Sequence, residues 1–506
     1  MSGKVATFMQ RNLVNQFPTL MQVILICCLG FVLGIISIWV PPTLILMGIA
    51  GILYFLISWL WPEIALLLIL LLTSTIFDLY SLPSIPIGVG HIIVSDVLPF
   101  ILIGIIFIRG LVESRYFFTH TPLDIPLLAF YGVAMLSTIM AIANSSITFN
   151  QSLGEVRVIN LYLTFFIVTN LVRNKIQLQR LLNGMFFLAV FVALAMIAQF
   201  VLGNSVQILA GGVDTLSTAG TTSYGITRVL PPGQSLILVA FISLAVLMVL
   251  HRTLPRFIVS LIQLCIVGLA VLLTFNRSFW VTIALALFVV GVLVSLRDKV
   301  NYVRIAVWLA VIGAMVFIPL LMMDKGQVGK LADSAYIRLS TLFNPNTAQE
   351  DSLQYRYVEN GYALPQIAAH PLVGLGLGAN YRSYDSRIDF TRNPEYNKNA
   401  YIHNGHLWVM LKTGLIGYFC LMWFMLLSLK RGLQYWKRIS DPFFRGIMIS
   451  FATTILGVLV ATTVNPLFSA IYWAPVIGVV MGINEVIIKL NADQSINPHL
   501  NNINNG

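Results

Sequence analysis

A long polar segment meets an apolar helix in one stretch of this sequence, Ala400-Tyr401-Ile402-His403-Asn404-Gly405-His406-Leu407-Trp408-Val409-Met410-Leu411-Lys412-Thr413-Gly414-Leu415-Ile416-Gly417. The apolar run that begins here continues to about residue 429, which is long enough to cross a lipid bilayer. His403 and Asn404 stand at the boundary between the two environments. A titratable side chain held at a membrane surface is a candidate functional residue.

The composition of the whole chain agrees with a membrane protein. Of its 506 residues, 58% are hydrophobic and only 10% are charged, and the mean hydropathy is +0.87. No water-soluble domain folds around one core with these values, so we expect an all-α polytopic membrane protein. The net charge of +11 comes from small basic clusters between apolar segments rather than from one continuous stripe. This pattern excludes a nucleic-acid partner and favours contact with the lipid bilayer.

Apolar runs long enough to cross roughly 30 Å of hydrocarbon predict about fourteen membrane helices. Their approximate limits are 20–39, 42–60, 63–78, 92–109, 123–143, 156–172, 180–202, 233–250, 256–275, 279–296, 303–322, 405–429, 444–464 and 469–488. Because prolines join the runs between 40 and 62, a re-entrant pair is an alternative there, which leaves about twelve spans. Either count places both termini on the same side of the membrane.

The distribution of lysine and arginine predicts which side that is. With the N-terminus inside, basic residues accumulate in the inside connections, and only three fall in the short outside ones. The inside residues are Arg109, Arg115, Arg173, Lys175, Arg180, Arg252, Arg256, Arg297, Lys299, Arg304, Lys430, Arg431, Lys437, Arg438 and Arg445. Both termini are therefore predicted to be cytoplasmic.

The predicted organisation has four parts. Residues 1–322 form N-terminal transmembrane helices with a polar outside loop at 203–232, and residues 323–402 form one large outside loop. Residues 403–490 form the C-terminal transmembrane helices, and residues 491–506 form a disordered cytoplasmic tail. A long loop is usually functional, and this one contains a predicted amphipathic helix near 353–369, followed by a Pro-Gly turn that docks the loop.

The three outside arginines, Arg157, Arg228 and Arg277, need an explanation, because an arginine near a bilayer costs several kcal/mol unless it is paired or hydrated. Glu155 offers Arg157 a local ion pair, and headgroup anchoring suffices there. Arg228 and Arg277 have no acid nearby in sequence. Several guanidinium groups at one site suit a diphosphate. No dense carboxylate cluster accompanies them, so we expect neither a metal nor another cofactor.

Two histidines follow the large loop. His403 and His406 are spaced so that a helix places them on one face, but no third zinc ligand is evident. We therefore expect His406 to be an interfacial polar residue and His403 to be a general base. Asn404 either orients His403 or caps the following helix.

These features together resemble the O-antigen ligase and polymerase superfamily over roughly residues 150–470. The ordered motifs are Arg228 before a Pro-Gly turn, Asn276-Arg277-Ser278 entering a span, Arg338-Leu339 and Arg356 in the large loop, His370-Pro371-Leu372-Val373-Gly374-Leu375-Gly376, His403-Asn404, and Gly414-Leu415-Ile416-Gly417. One departure is Pro231-Pro232-Gly233, where related proteins often have a Gly-Asn-Pro-Asn type of turn.

The resemblance implies a GT-C-like glycosyltransferase of the bacterial inner membrane with a periplasmic active site. Such an enzyme takes a glycan from an undecaprenyl-diphosphate-linked donor and joins it to a hydroxyl of a saccharide or of lipid A core. By this resemblance, Arg228, Arg277 and Arg356 bind the diphosphate, as does Arg338, and His403 and Arg277 are catalytic. Asn404 and Arg157 have supporting roles.

In the mechanism we expect, the arginines neutralise the diphosphate leaving group while neutral His403 accepts the acceptor's proton. A single displacement inverts the anomeric carbon, and no paired carboxylates of a retaining hydrolase are evident. The acceptor remains open: lipid A core defines a ligase, whereas a second carrier-linked repeat defines an O-antigen or exopolysaccharide polymerase. A small-anion transporter and an inert assembly scaffold are alternatives of other classes.

Overall fold

The structure is a computed structural model, and it describes most of the chain. The described residues are 42–77, 82, 84–86, 91–113, 118–203, 206, 208–209, 213–215, 227–250, 254–294, 300, 303, 351–388 and 399–496. The predicted span 20–39 lies outside them, as do Arg338 and all but the first residue of the predicted span 303–322. For Arg228, the description is limited to the backbone.

The chain divides into two compact units, Met1–Leu60 and Trp61–Gly506. In the first, the described element is helix α1 (Pro42–Leu60). The second holds the candidate site, and its elements are α2 (Pro62–Thr73), β1 (Ser84–Pro86), β2 (His91–Ile93), α3 (Val94–Val112), α4 (Asp124–Ala143), α5 (Phe149–Leu161), α6 (Thr164–Leu171), α7 (Lys175–Leu202), β3 (Val213–Thr215), β4 (Thr227–Val229), α8 (Gln234–Leu250), α9 (Leu254–Leu273), α10 (Arg277–Leu293), α11 (Asp351–Ala369), α12 (Gly405–Tyr435), a 3₁₀ turn (Trp436–Arg438), α13 (Pro442–Ala461) and α14 (Ala474–Ile496).

The helices confirm the predicted fold class, an all-α polytopic membrane protein. Within the described residues, seven helical segments are long and apolar enough to cross a bilayer. These are Val94–Val112, Asp124–Ala143, Phe149–Leu171, Lys175–Leu202, Gly405–Arg438, Pro442–Ala461 and Ala474–Ala492. Five shorter apolar helical segments accompany them. The prediction of about twelve to fourteen spans remains a prediction, because part of the chain lies outside the described residues.

The outward faces of these helices are apolar. Phe107 on α3, Ile125 on α4, Phe187 on α7, Phe288 on α10 and Phe419 on α12 are all exposed. A soluble protein rarely exposes so many large apolar side chains along its helices. Lipid chains solvate such side chains, which is why the composition that excluded a soluble domain suits a bilayer.

The predicted span 156–172 corresponds to the candidate span Phe149–Leu171, but this span is not one continuous helix. It contains two helices, α5 and α6, that are separated by a turn at Tyr162 and Leu163. The turn is stabilised from α14 and from the segment before it: the Tyr162 hydroxyl donates to the Phe468 carbonyl at 3.2 Å, and the Thr164 hydroxyl lies 3.1 Å from the Pro475 carbonyl. Hydropathy alone does not detect such a break, because the polar groups are satisfied by neighbouring protein.

Two small hairpins add the described strands. β1 pairs antiparallel with β2, and β3 pairs antiparallel with β4 with Asp214 opposite Arg228. The β4 strand packs against α7. Neither hairpin was expected from the sequence. An isolated two-stranded hairpin is marginally stable, so its pairing depends on the helices that hold it.

Helix α12 is broken within its length. Gly414 has φ +66° and ψ −173°, which is not helical, and separates a short first half from a long second half. α12 packs against α4 on one side and against α11 and α13 on others. The break matters for the candidate site because the glycine-rich part of the large loop packs into the gap at Gly414.

Candidate active site

The connection between α13 and α14, residues 462–473, is the feature around which the candidate residues gather. Three helices begin beside it, namely α8, α10 and α12, and each is hydrogen-bonded to it. Sequence reasoning assigned this connection no role, because it is short and uncharged. The available signal was its polar Thr462-Thr463-Val464-Asn465-Pro466 run between two apolar spans.

His403 lies directly before α12 and is held by Glu359 of α11. Its Nδ1 is 2.9 and 3.0 Å from the two carboxylate oxygens of Glu359, and its backbone N–H donates to Oε2 at 2.9 Å. The Glu359 side chain is 4% exposed and the imidazole is 33% exposed. Tyr401 packs against the imidazole with ring centroids 4.9 Å apart. The Nδ1 edge of His403 is therefore fixed, while part of the ring stays accessible.

Sequence reasoning missed Glu359, although it placed the helix that carries it. The predicted helix near 353–369 is α11, at Asp351–Ala369. Glu359 follows Arg356 by three residues, so both lie on one face of the helix, and Ala363 extends the buried side of that face. A single acidic residue in a long polar loop resembles an ordinary solvated charge. Its spacing of three residues from Arg356 was the one sequence feature that could have identified Glu359.

Asn404 caps α12, which decides between the two predicted roles. Its Oδ1 accepts hydrogen bonds from the backbone N–H groups of His406 and Leu407, at 3.0 and 3.2 Å. These donors have no partner inside a helix, so an asparagine here stabilises the helix start. The next residue, Gly405, donates its N–H to the Thr462 carbonyl at 2.9 Å. The start of α12, and with it His403, is thereby attached to the α13–α14 connection.

His406 is a packing residue in this structure. Its Nε2 is 2.9 Å from the Leu459 carbonyl. Its ring lies edge-on to the rings of Phe468 and Tyr418, with centroid separations of 5.4 and 5.9 Å. His406 thus joins α12 to α13 and the α13–α14 connection.

Arg356 and Arg277 also lie at this connection. The Arg356 Nε donates to the Val464 carbonyl at 3.0 Å. Arg277 is the first residue of α10, partly buried, and follows the N-cap residue Asn276. The adjacent Ser278 accepts a hydrogen bond from the Asn465 side chain. The structure therefore brings the start of α10 and one face of α11 to neighbouring residues of one turn.

The segment after Arg228 reaches the other end of the same connection. Arg228 lies in β4, and the Pro231-Pro232-Gly233 turn leads from there into α8. The Gln234 amide donates to the Tyr472 hydroxyl at 2.9 Å, and the Ser235 hydroxyl donates to the Tyr472 carbonyl at 2.8 Å. The Pro231-Pro232-Gly233 turn is thus attached to the α13–α14 connection through Gln234 and Ser235, which follow it directly.

Arg157 does not pair with Glu155, so the predicted local ion pair is wrong. Its Nε lies 2.8 Å from Asp96 Oδ2, and its guanidinium also donates to the His91 carbonyl. In α5, Arg157 and Glu155 are only two residues apart, and that spacing points their side chains in different directions. Arg157 therefore ties α5 to the start of α3, which suits a structural role.

Glu155 instead meets Lys412, a residue that the sequence analysis did not single out. The Lys412 Nζ is 3.2 Å from Glu155 Oε1 and donates to the Ala379 carbonyl at 2.6 Å. Lys412 is completely buried. Glu155 also accepts from the Trp408 indole at 3.2 Å and from the Gly378 N–H at 2.5 Å. A buried ion pair of this kind requires such extra hydrogen bonds to offset its desolvation.

The glycine-rich run of the large loop docks into the break of α12. The Leu375 and Gly376 N–H groups donate to the carbonyls of Leu411 and Lys412, at 2.7 and 3.1 Å. From the other half of the helix, the Leu415 N–H donates to the Pro371 carbonyl at 2.8 Å. The backbone groups that the helix break leaves without intrahelical partners are therefore paired with the loop, as predicted for a turn that docks the loop.

Farther along the loop, Arg387 is engaged by Asp385. Its guanidinium makes two short contacts with Asp385 Oδ2 and Oδ1, at 2.6 and 3.0 Å, and Tyr362 donates to the same carboxylate at 3.0 Å. Hydrogen bonds from Arg387 hold the pKa of the Asp385 carboxyl below its ordinary value. Through the bond from Tyr362, this ion pair fastens the loop to α11.

Within the described ranges, no group of three or more His, Cys, Asp or Glu side chains is placed to hold a metal ion. The donor set at His403 is one imidazole and one carboxylate, which is fewer ligands than a zinc site needs.

Part of the chain is similar to a known protein family. A search of curated proteins found no match to the chain. Residues 262–422 match the model of a protein family described as O-antigen ligase. The match contains Arg277, Arg356, Glu359 and His403, and it ends inside α12. The chain is a multi-pass membrane protein whose residues 262–422 are similar to the O-antigen ligase family, which supports the resemblance to the O-antigen ligase and polymerase superfamily.

Proposed function

We propose that this protein is an O-antigen ligase-like glycosyltransferase. It transfers a glycan from an undecaprenyl-diphosphate carrier to a hydroxyl acceptor such as lipid A core, at the periplasmic face of the bacterial inner membrane. The observation that carries the proposal is the convergence on the α13–α14 connection. The start of α8, which follows Arg228 in the chain, and the segments that bear Arg277, Arg356 and His403 all border residues 462–473.

The arginines act on the leaving group in this proposal. A guanidinium presents two parallel N–H donors to a phosphate and keeps its charge at every physiological pH. Arg277 and Arg356 lie on different elements, so they approach a diphosphate from different directions, with Arg228 and Arg338 as further members. Charge neutralisation makes the carrier diphosphate a better leaving group, and such electrostatic stabilisation is usually the largest single contribution to catalysis.

His403 acts on the acceptor. Its neutral imidazole accepts the proton of the attacking hydroxyl while the new bond forms between that oxygen and the anomeric carbon. The bond from the anomeric carbon to the diphosphate breaks in the same displacement, and its electron pair leaves with the phosphate oxygen. One displacement of this kind inverts the anomeric centre. No metal ion enters this scheme, because the arginines carry out the charge neutralisation.

Glycan transfer in cells tests the assignment. Cells that lack the protein are complemented with the wild type, with His403→Ala or with His406→Gln, and acceptor-linked glycan is measured by gel electrophoresis beside the membrane level of each variant. We expect His403→Ala to abolish transfer at normal expression. His406→Gln is the matched control, because its amide still donates to the Leu459 carbonyl. Near-normal transfer by His403→Ala would overturn the base assignment.

A polymerase of the same superfamily is the second candidate, because the matched domain supports a ligase-type or a polymerase-type function without separating the two. The two differ in the acceptor alone. Cells that lack a polymerase accumulate carrier-linked single repeats, whereas cells that lack a ligase accumulate carrier-linked long chains. The carrier-linked pool of a deletion strain therefore decides between them.

A further inference from the structure

We infer that Glu359 is a positioning residue that sets the tautomer of His403, so that Nε2 is the basic nitrogen of the site. This inference rests on the proposed function of His403 as the base. Glu359 is not itself assigned contact with substrate, and it acts through the histidine.

With an ionised Glu359 and a neutral imidazole, the geometry requires the ring proton to be on Nδ1. Both carboxylate oxygens of Glu359 lie within 3.0 Å of Nδ1. An ionised carboxylate only accepts hydrogen bonds, so Nδ1 must carry a proton to make these contacts. In the neutral imidazole, the other nitrogen then carries the lone pair. The described residues contain no hydrogen-bond partner for Nε2, so this lone pair is available to an acceptor hydroxyl.

Glu359 is held rigidly enough for this task. The backbone N–H of His403 donates to the same carboxylate, which fixes the position of the residue as well as its ring. One helical turn earlier, Arg356 attaches α11 to the Val464 carbonyl. The carboxylate is almost fully buried, so water does not compete effectively for these bonds. A carboxylate in this position also stabilises the imidazolium that forms when His403 takes the proton.

An amide at position 359 removes these properties without removing bulk. If the amide of Glu359→Gln turns its NH₂ toward Nδ1, it donates there, and the proton of the neutral ring moves to Nε2, which is then no longer a base. If it turns its oxygen toward Nδ1, it lacks the second acceptor and the negative charge. In serine proteases, the equivalent change from carboxylate to amide lowers kcat by roughly 10⁴-fold.

The experiment compares Glu359→Gln with Glu359→Asp in full-length protein, using membranes supplied with the native carrier-linked glycan. Glu359→Gln is the closer match in shape, whereas Glu359→Asp keeps the charge and accepts hydrogen bonds only. A tautomer-setting role predicts that Glu359→Gln lowers kcat by about 100-fold or more with little change in the KM for the donor. It also predicts that Glu359→Asp retains more activity than Glu359→Gln. Leu364→Ala, at an exposed position of the same helix, is the control.

A purely structural role reverses this order, because Gln preserves the packing better than Asp. Higher activity in Glu359→Gln than in Glu359→Asp would therefore overturn the inference, as would a loss confined to KM. His403→Ala is measured in parallel. If His403→Ala keeps its activity, the proposed function fails. If His403→Ala is inactive and Glu359→Gln is normal, only the inference fails.

Discussion

The buried ammonium of Lys412 lies 3.2 Å from Oε1 of Glu155, and this contact joins three parts of the chain: α12, α5 and the glycine-rich turn of the large loop. The two residues are 257 positions apart (412 − 155). The pair fixes the loop to the membrane helices on the side of α12 that faces α4 and α5. Lys412 lies just before the Gly414 break, in the first half of α12. The ion pair therefore couples the docking of the loop to the orientation of this half-helix, and His403 directly precedes the half-helix.

Replacing Lys412 and replacing Glu155 should lower the stability of the protein by different amounts. In Lys412→Met, the Glu155 carboxylate keeps its bonds from Gly378 and Trp408. In Glu155→Gln, the fully buried ammonium loses its counter-ion. Removing one partner of a buried pair costs on the order of 3–5 kcal/mol, so we expect Glu155→Gln to lower the thermal midpoint in detergent more than Lys412→Met.

The double variant Glu155→Gln/Lys412→Met supplies the control for that comparison. Because neither change then strands a charge, the double variant should be more stable than the sum of the single effects predicts. Additive losses would show that the two side chains do not interact.

Gly414→Ala should displace the loop from α12. Gly414 adopts φ +66° and ψ −173°, a conformation open almost only to glycine that costs other residues about 1–3 kcal/mol. A methyl group there also collides with the Leu372 carbonyl. We expect faster proteolysis of the 370–388 region in membranes and reduced glycan transfer.

Gly154→Ala is the matched control, because it changes a glycine of α5 around which a Cβ meets no atom within 4 Å. It should leave both proteolysis and transfer unchanged. Equal protease resistance in Gly414→Ala and the wild type would contradict the docking role of the break.

Arg277→Lys should impair donor use although it keeps the charge. An ammonium cannot reproduce the planar, two-pronged contact that a guanidinium makes with a phosphate. We expect a higher KM for the carrier-linked donor, together with a lower kcat, when initial rates are measured in membranes. Arg180→Lys is the control, since Arg180 lies on α7 and pairs with Glu63 at 3.2 Å. Unchanged donor kinetics in Arg277→Lys would indicate simple anchoring at the headgroup level.

Asn465→Ala tests the α13–α14 connection. Its amide donates to Ser278, beside Arg277, and losing a hydrogen bond between partly buried groups costs about 1 kcal/mol. The start of α10 then loses one restraint, so the KM for the donor should rise about fivefold, the equivalent of that free energy. Thr463→Val serves as control, because the exposed Thr463 hydroxyl bonds only locally, to the Val460 carbonyl. A normal KM in Asn465→Ala would show that the α13–α14 connection does not contribute to donor binding.

Much of the architecture follows from local sequence. The apolar spans, the helix in the large loop and the start of α12 at the His-Asn pair depend on hydropathy and capping, which neighbouring residues set. Arg277 was singled out because a charge next to an apolar run stands out within a short window, whereas Arg356 was named only through the family resemblance. Glu359 and Lys412 do not stand out in this way, since each looks ordinary among its neighbours in sequence.

By itself, the sequence determined that this chain is an all-α membrane protein, where most of its helices begin, and which family its central segment resembles. Only the tertiary structure decided that Glu359 meets His403, that Glu155 pairs with Lys412 rather than with Arg157, and that the α13–α14 connection gathers the candidate site. The physical reason is range. Hydropathy and helix capping act over a few residues, whereas a buried charge takes whichever partner the packed helices bring within about 3 Å, since desolvation leaves it no alternative.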